Sequence, residues 1–434
     1  MTASSASTAP YRLGADFAAD RDASDPLAQF RDEFYLLPDR IYLDGNSLGL
    51  LSRPAEASVL AALGDWRTRA IDGWTSGDQP WFWLGEDLGA KQAALLGAQP
   101  QEVAVCGAIT TNLHALLATF YTPSGGRTRI VADALDFPSD VYALQSWLRL
   151  HSLDPAEHLV LVPSRDGRTL DEDDLIAAMA DDVALVWLPS VLYRSGQLLD
   201  MPRLVQAAHE RGIPIGFDLA HSAGCVPHRL HDWDVDFATW CTYKYLNAGP
   251  GAVGALFVHA RHVGTHQPGL RGWWGSDKSR QFDMELEFTP ATSAGAWQIS
   301  TPSVLGAAAL YGSLALLESA GLERLRRKSL DLTGYLMFLA DELLAEHGFR
   351  VGTPREPDRR GGHVALEHPA ALRLSRALRA RGVVPDFRAP NVVRLAPVAL
   401  YTTFTDVWRT VQTLLDIVRS GAHLQVDPTR GSVD

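Results

Sequence analysis

Residues 217–251 read FDLAHSAGCVPHRLHDWDVDFATWCTYKYLNAGPG. The stretch begins at the close of an apolar, strand-like run, IPIGFD, which stops on an acid, Asp218, with His221 three residues on. A polar connection follows, then a second strand-like run that ends on Lys244 and a glycine turn. Parallel-sheet proteins carry their ligands beyond the carboxyl ends of strands, so an acid at one such end and a lysine after the next can face each other across one crevice. Lysine is scarce here. Lys91, Lys244, Lys278 and Lys328 are four of 39 cations, so wherever charge alone is needed the chain uses arginine. Lys91 lies on an amphipathic helical stretch, Lys278 in SDKSR and Lys328 in RLRRKS, all read as solvated positions. Lys244 stands among aromatic residues, where an ammonium group is partly desolvated, the setting that makes a lysine amine chemically useful.

Outward from this stretch, short apolar runs alternate with helical patterns. Strands are expected at 103–106, 128–132, 183–188, 213–217, 235–242 and 252–258, with helices opening near Thr111 and Pro138 and another over 202–211. Doubly buried strands with intervening helices predict an α/β fold with a mostly parallel sheet. After the Gly/Trp loop LRGWWGSDKSRQF a helix is expected to open at Thr301-Pro302, with Thr as N-cap and Pro at the first helical position. Two long helical stretches, short strands at 364–366 and 392–395, and helices over 371–381 and 403–419 then read as a smaller C-terminal α/β domain. The division expected is an N-terminal segment, 1–60, packing with the small domain; a large domain, 61–300; the small domain, 301–420; and a flexible tail, 421–434. The first ten residues, rich in Ser, Thr and Ala, are also expected to lack structure.

The 434 residues are 46% hydrophobic and carry a formal charge of -12, with no long basic run, which argues against a nucleic-acid partner. No apolar stretch approaches the ~20 residues that cross a bilayer, and the opening MTASSASTAP lacks the features of a signal peptide. Cys106, Cys225 and Cys241 are too scattered for a disulfide framework or a paired-cysteine zinc site. A reducing cytoplasm, no membrane and no metal are therefore expected. His228 and His231, at spacings a metal could use after Cys225, read as part of a polar connection.

Two motifs point elsewhere. Gly45-Asn46-Ser47-Leu48-Gly49 matches the nucleophile elbow of a serine hydrolase, with Ser47 attacking, but only one short candidate strand, 40–43, precedes it, and a glycine turn is the preferred reading. Residues 249–254, GPGAVG, fit a dinucleotide fingerprint by letter, yet they lead into a strand rather than a helix. Asp218 and Lys244 suit pyridoxal phosphate better, because a lysine amine forms an imine with its aldehyde while a carboxylate keeps the pyridine nitrogen protonated. Ala108-Ile109-Thr110-Thr111-Asn112 follows a strand and opens a helix, where backbone N–H groups and two hydroxyls converge on one anion-sized spot. Phe137-Pro138-Ser139-Asp140 also starts a helix after a strand, and Phe137 could cover the ring.

Together with YLDGNSLGL, TTNLH, FPSD, GWWG and VVRLAPVALYTTFTDVW, in that order along the chain, the 217–251 stretch resembles the kynureninase family, fold-type I pyridoxal phosphate enzymes of the class V aminotransferase group. The resemblance runs from about Tyr42 to Arg419. It implies hydrolysis of L-kynurenine to anthranilate and L-alanine by a homodimer with shared active sites. It also implies Lys244 as Schiff-base lysine and catalytic base, Asp218 as partner of the pyridine nitrogen, and His221 beside the cofactor. Thr110 and the Ile109 backbone would hold phosphate with Tyr243 and the partner subunit's Trp273. Phe137 would stack on the ring, Asp140 would orient it from the side, and Ser139 and Thr301 would join the cofactor contacts. Arg394 matches the arginine that grips the substrate carboxylate, with Ser47, Trp74 and Thr301 also near the substrate; Tyr243 is the candidate proton relay. Where relatives favouring 3-hydroxykynurenine resemble GHE and ISN, this chain has Gly73-Trp74-Thr75 and Ile299-Ser300-Thr301, so L-kynurenine is the expected substrate. Pro189 stands where the family often has a small hydroxyl residue, which leaves open whether Ser190 takes over that contact. A cysteine desulfurase or an aminotransferase remains the alternative within this fold, and a serine hydrolase using Ser47 the alternative outside it.

Overall fold

In the computed structural model residues 11–427, 429 and 431 are described; the reading of residues 1–10 falls outside them. A short strand β1 (Ile41–Tyr42) precedes the seven strands of the main sheet: β2 (Val103–Val105), β3 (Arg129–Asp133), β4 (Leu159–Val162), β5 (Val183–Pro189), β6 (Ile215–Asp218), β7 (Phe237–Trp240) and β8 (Ala255–Val258). Their spatial order is β2-β8-β7-β6-β5-β3-β4, and every pairing from β7 to β4 is parallel, whereas β8 runs antiparallel to both its neighbours. The strand run VALVWLP shows why the sheet is covered on both faces. Leu185 and Trp187 enter one apolar cluster with Leu116, Phe120 and Leu144, while Val186 and Leu188 enter the other with Leu204, Phe217 and Trp240. Successive side chains on a strand point to opposite faces, so a continuous apolar run serves two layers of helices.

The second sheet is antiparallel in the order β12-β13-β10-β9, built from β9 (Arg350–Val351), β10 (Val364–Glu367), β12 (Asp386–Arg388) and β13 (Val392–Leu395). Strand β11 (Val383–Val384) pairs with β1 instead, in parallel. The apolar cluster under this sheet begins at Leu332, inside the helix Leu322–Leu343, and takes in Phe17, Ala18 and Leu43 from the N-terminal segment. The helix Ala309–Ala320 packs against Arg53–Arg69, and its Leu310, Leu314 and Leu317 belong to the main cluster.

Three readings need correction. The helix expected at Thr301 opens at Val304, with Ser303 in the N-cap position. Thr301 precedes a proline, which disfavours the helical region, and the first helical bond runs from the Ala307 amide to the Ser303 carbonyl. Strand β4, LVLV, was not foreseen; it lies at the sheet edge with only Val162 fully buried, so it lacks the doubly buried signature. Within the expected tail, Ala422–Gln425 forms a helical turn with His423 buried, so these four residues pack on the domain.

Candidate active site

Strands β5, β6 and β7 end side by side, with Pro189 opposite Asp218 and Asp218 opposite Thr239. The second strand-like run stays in the sheet only to Trp240. There the Thr242 hydroxyl donates to the Val253 carbonyl at 2.6 Å and the Ala248 amide donates back to the Thr242 carbonyl, so the chain leaves the sheet and turns Tyr243 and Lys244 towards β6. Lys244 Nζ lies 3.0 Å from His221 Nε2. Both line a cavity of about 320 Å³ that also contains Asp218, Ser47, Ile109, Thr110, Phe137, Ser139, Asp140, Tyr243 and Arg394. Eleven expected site residues thus share one hollow. Trp74, Trp273 and Thr301 do not line it. Trp74 packs on Trp81 and Trp274, Trp273 is about half exposed, and Thr301 is exposed.

Lys244 is not the most buried lysine. Lys278 is wholly covered, held by Glu86 Oε2 and the Phe82 carbonyl at 2.7 Å each and lying over the Trp83 ring, and Lys328 pairs with Asp25 at 2.6 Å. Their sequence settings are polar, and only tertiary packing covers them. Lys244 differs in that, among the described residues, its side-chain hydrogen-bond partner is His221 and not a carboxylate. That leaves its amine free for chemistry.

The helix Ile109–Phe120 carries no side-chain cap at Ala108, and its first residues, Ile109 and Thr110, line the cavity, where free amides of a helix N-terminus suit an anion. Thr110 Oγ1 and Ser139 Oγ lie 2.7 Å apart beside them, on two helices that both start after sheet strands. Gly254 lets this turn sit tightly: its amide donates to Gly107, and a Cβ there would press on the Ala108 backbone at 3.2 Å. Opposite lies an acidic wall. Asp218 accepts from the Ala220 amide at 2.6 Å, Asp140 accepts from Trp187 Nε1 at 3.0 Å, and Asp136 Oδ2 is buried with no hydrogen-bond partner among the described residues. Burial raises the pKa of Asp218, Lys244 partly offsetting it; burial and the Asp218 charge also raise Asp140 and, with Asp140, Asp136. Burial, with the nearby Lys244 and Arg394 charges, pushes His221 well below 6.5, so its ring is neutral. An anion cradle at one end, crowded carboxylates at the other and an amine between them fit pyridoxal phosphate, whose phosphate and protonated pyridine nitrogen carry the opposite charges to those ends.

Ser47 Oγ accepts from Arg394 Nη2 at 3.1 Å and opens no helix, so the arrangement is not a nucleophile elbow. The glycines of its motif serve close packing: a Cβ on Gly49 would overlap the Lys244 carbonyl oxygen, and the Gly49 amide donates to the Tyr243 carbonyl at 2.8 Å. Ser190 is turned inward, donating to the Asp218 carbonyl at 3.0 Å and lying 2.7 Å from Ser222 Oγ, while Pro189 faces the cavity. His228 is likewise an interior residue beside Ser222 Oγ, at 2.9 Å. Glu102, His231 and His259 approach one another at the far end of the sheet, but they form a closed set of hydrogen bonds. Glu102 Oε1 accepts from Ala260 and His231, His231 Nε2 meets Gln99, and His259 Nδ1 accepts from the Arg261 amide. Sequence reasoning missed Asn46, Asp136, Tyr193 and Arg388 on the cavity wall. Of these, Arg388 had a signal, an arginine two residues after Asp386 on a strand facing the Arg394 strand.

Residues 325–414 match the kynureninase C-terminal domain family. Over 404 residues, 93% of this chain and 94% of the other, the chain is 56% identical to a kynureninase of Geobacillus thermodenitrificans. It is also 56% identical over 421 residues, 97% and 98% of the two chains, to a kynureninase of Bacillus thuringiensis. Among solved structures it resembles a cysteine desulfurase from Thermococcus onnurineus, with a TM-score of 0.77 at 19% identity over 90% of this chain and 98% of that one. It also resembles a C-DES variant with glycine covalently linked to the PLP cofactor, with a TM-score of 0.76 at 17% identity over 89% and 99%. Likeness at that identity speaks to the fold alone.

Proposed function

The chain belongs to the kynureninase family, and from this premise we propose that it is a pyridoxal phosphate-dependent hydrolase that cleaves L-kynurenine to anthranilate and L-alanine. The observation that carries the reading is the facing pair, Lys244 and Asp218, across a cavity floored by an uncapped helix N-terminus. When bound, pyridoxal phosphate supplies an aldehyde that condenses with amines and a ring that takes up the electrons of a breaking bond at the substrate carbon.

The residues divide the remaining work. The amides of Ile109 and Thr110, the hydroxyls of Thr110 and Ser139, and Tyr243 hold the phosphate. Asp218 would accept a hydrogen bond from the pyridine nitrogen and keep its proton in place, Asp140, anchored on Trp187, would orient the ring, and Phe137 would cover it. With the cofactor bound, Lys244 Nζ would take the proton from the substrate Cα. Neutral His221, 3.0 Å away, accepts a hydrogen bond from that amine without competing as a cation. Arg394, oriented by the Tyr193 carbonyl and Ser47 Oγ, grips the α-carboxylate. Tyr243 keeps its phenol proton, since burial raises its pKa, and it relays that proton to the carbonyl side of the substrate.

Trp74 and Thr301 take the sequence positions where relatives favouring 3-hydroxykynurenine carry a histidine and an asparagine, which supports the unsubstituted L-kynurenine as the better substrate and 3-hydroxykynurenine as the poorer. Trp273 and Thr301, outside their own cavity, reach the site of a second copy in a homodimer. Exposed Phe282, Met284 and Leu286 beside Trp273 support that assembly. The three free thiols suit a reducing cytoplasm. No single helix among the described residues is long and apolar enough to cross a membrane.

Incubated with L-kynurenine and no keto-acid acceptor, the yellow purified protein releases anthranilate, read by its fluorescence. Lys244→Ala loses both that release and the cofactor's visible absorbance change on adding substrate. Anthranilate production at the wild-type rate by that variant overturns the assignment.

A further inference from the structure

Arg394 is poorly placed to bind a carboxylate alone. Its guanidinium is almost wholly covered, with Nη1 donating to the Tyr193 carbonyl at 2.5 Å and Nη2 shared between Ser47 Oγ and the Asp386 carboxylate. Asp386 stands directly opposite Arg394 in the β12–β13 register, and Arg388 is two residues further along β12. Opposed residues and residues two apart share a face of a sheet. Three charged side chains therefore project together, with Asp386 Oδ2 3.0 Å from Arg388 Nε and in contact with Arg394 Nη2. Both arginines line the cavity, and Arg388 keeps about 35% of its side chain exposed where Arg394 keeps 1%. Two neighbouring guanidinium groups repel, and the buried carboxylate between them offsets that repulsion and fixes the forks side by side. Burial lowers the pKa of Arg394, with Asp386 opposing that shift and Arg388 adding to it.

We propose that the substrate α-carboxylate is held by a pair of arginines, with Arg388 as the accessible partner of Arg394 and Asp386 as the positioning residue that spans them. The pair rests on the reading of the chain as an L-kynurenine hydrolase. Arg388 binds the carboxylate as it enters, and Arg394 completes the grip from below. Any amino-acid ligand of this site meets both, whereas an amine without a carboxylate meets neither.

The test uses the holoenzyme with L-kynurenine as substrate and kynuramine, the same molecule lacking the α-carboxylate, as competing ligand. Arg388→Gln is expected to raise KM for L-kynurenine about tenfold or more while kcat changes less than about threefold. The inhibition constant of kynuramine is expected to stay within about twofold of wild type. Arg388→Lys should recover part of the affinity, because charge remains without the fork. Asp386→Asn should raise KM for L-kynurenine in the same carboxylate-selective way. An unchanged KM in Arg388→Gln, or KM and the kynuramine constant rising together, overturns the arginine pair while leaving the hydrolase reading intact. A wild-type protein that releases no anthranilate overturns both.

Discussion

Asp218 is buried beside Asp140 and Asp136, and its pKa is raised above 3.8 by burial, with Lys244 and the Ala220 amide opposing. An acid whose folded pKa is raised stabilises the fold below its ordinary pKa, and that contribution is lost as pH rises through the raised value. The cofactor-free protein therefore carries a penalty at pH 8 that an amide would not. Asp218→Asn should raise the thermal midpoint of the cofactor-free protein at pH 8 relative to wild type, with the difference vanishing below about pH 4. In the same variant cofactor affinity should fall by about tenfold to a hundredfold, the worth of one charge-assisted hydrogen bond. A variant that loses stability at pH 8 and keeps its cofactor would show that Asp218 serves the fold and not the ring nitrogen. The residue was legible from its position at a strand end. The neighbouring Asp136 was not, because nothing in DALDFPSD distinguishes an acid facing the cavity from one in a turn.

Elements are tied together at the sheet end opposite the cavity. Asp236, just before β7, accepts from the Ile215 amide that opens β6, from His209 at the end of the helix Met201–His209, and from His262 beyond β8, with Arg261 alongside. Burial alone would raise its pKa, but the hydrogen bonds from His209, His262 and Ile215 and the Arg261 charge outweigh it and hold the carboxyl well below 3.8. For a depressed acid the sign is the reverse of Asp218: its contribution is present above about pH 4 and is lost as pH falls towards the folded value. Asp236→Asn should cost about 3–5 kcal/mol at pH 7, because the buried His262 and its half-buried neighbours His209 and Arg261 lose the charge they face, and it should flatten the acid limb of stability. Urea unfolding at pH 7 and pH 4 measures both. Equal losses at the two pH values and an unaltered acid limb would mean that packing alone is at stake. In HDWDVDF three acids alternate, and only the sheet register determines which one is covered.

The whole molecule leaves Leu286 fully exposed, with Met284 and Phe282 largely so, next to Trp273. An isologous dimer across this surface would carry each Gly/Trp loop to the other copy's cavity. Hybrids settle the point. Lys244→Ala and Trp273→Ala are each expected to be nearly inactive, and equal mixing after reversible dissociation should restore about a quarter of the sites, since half the dimers are hybrids with one intact site. No recovery in verified hybrids would assign Trp273 to its own chain.

The amino-acid sequence by itself determined the alternation of strands and helices and the strand-end positions of Asp218 and Lys244, because short-range patterns dictate strands, helix starts and turns, and its likeness to a known family marked Tyr243 and Arg394, which line the same cavity. It could not weigh long-range cover. Lys278 and Lys328 read as solvated and are buried in ion pairs, Thr301 read as a cap and is not one, and Ser190 read as a possible contact and faces inward. Only the tertiary structure decided those, along with Arg388 and Asp386 beside Arg394. Lys278 and Lys328 meet Glu86 and Asp25 from distant parts of the chain, and Asp386, Arg388 and Arg394 meet only once β12 and β13 pair in register, so no local periodicity encodes which of them meet.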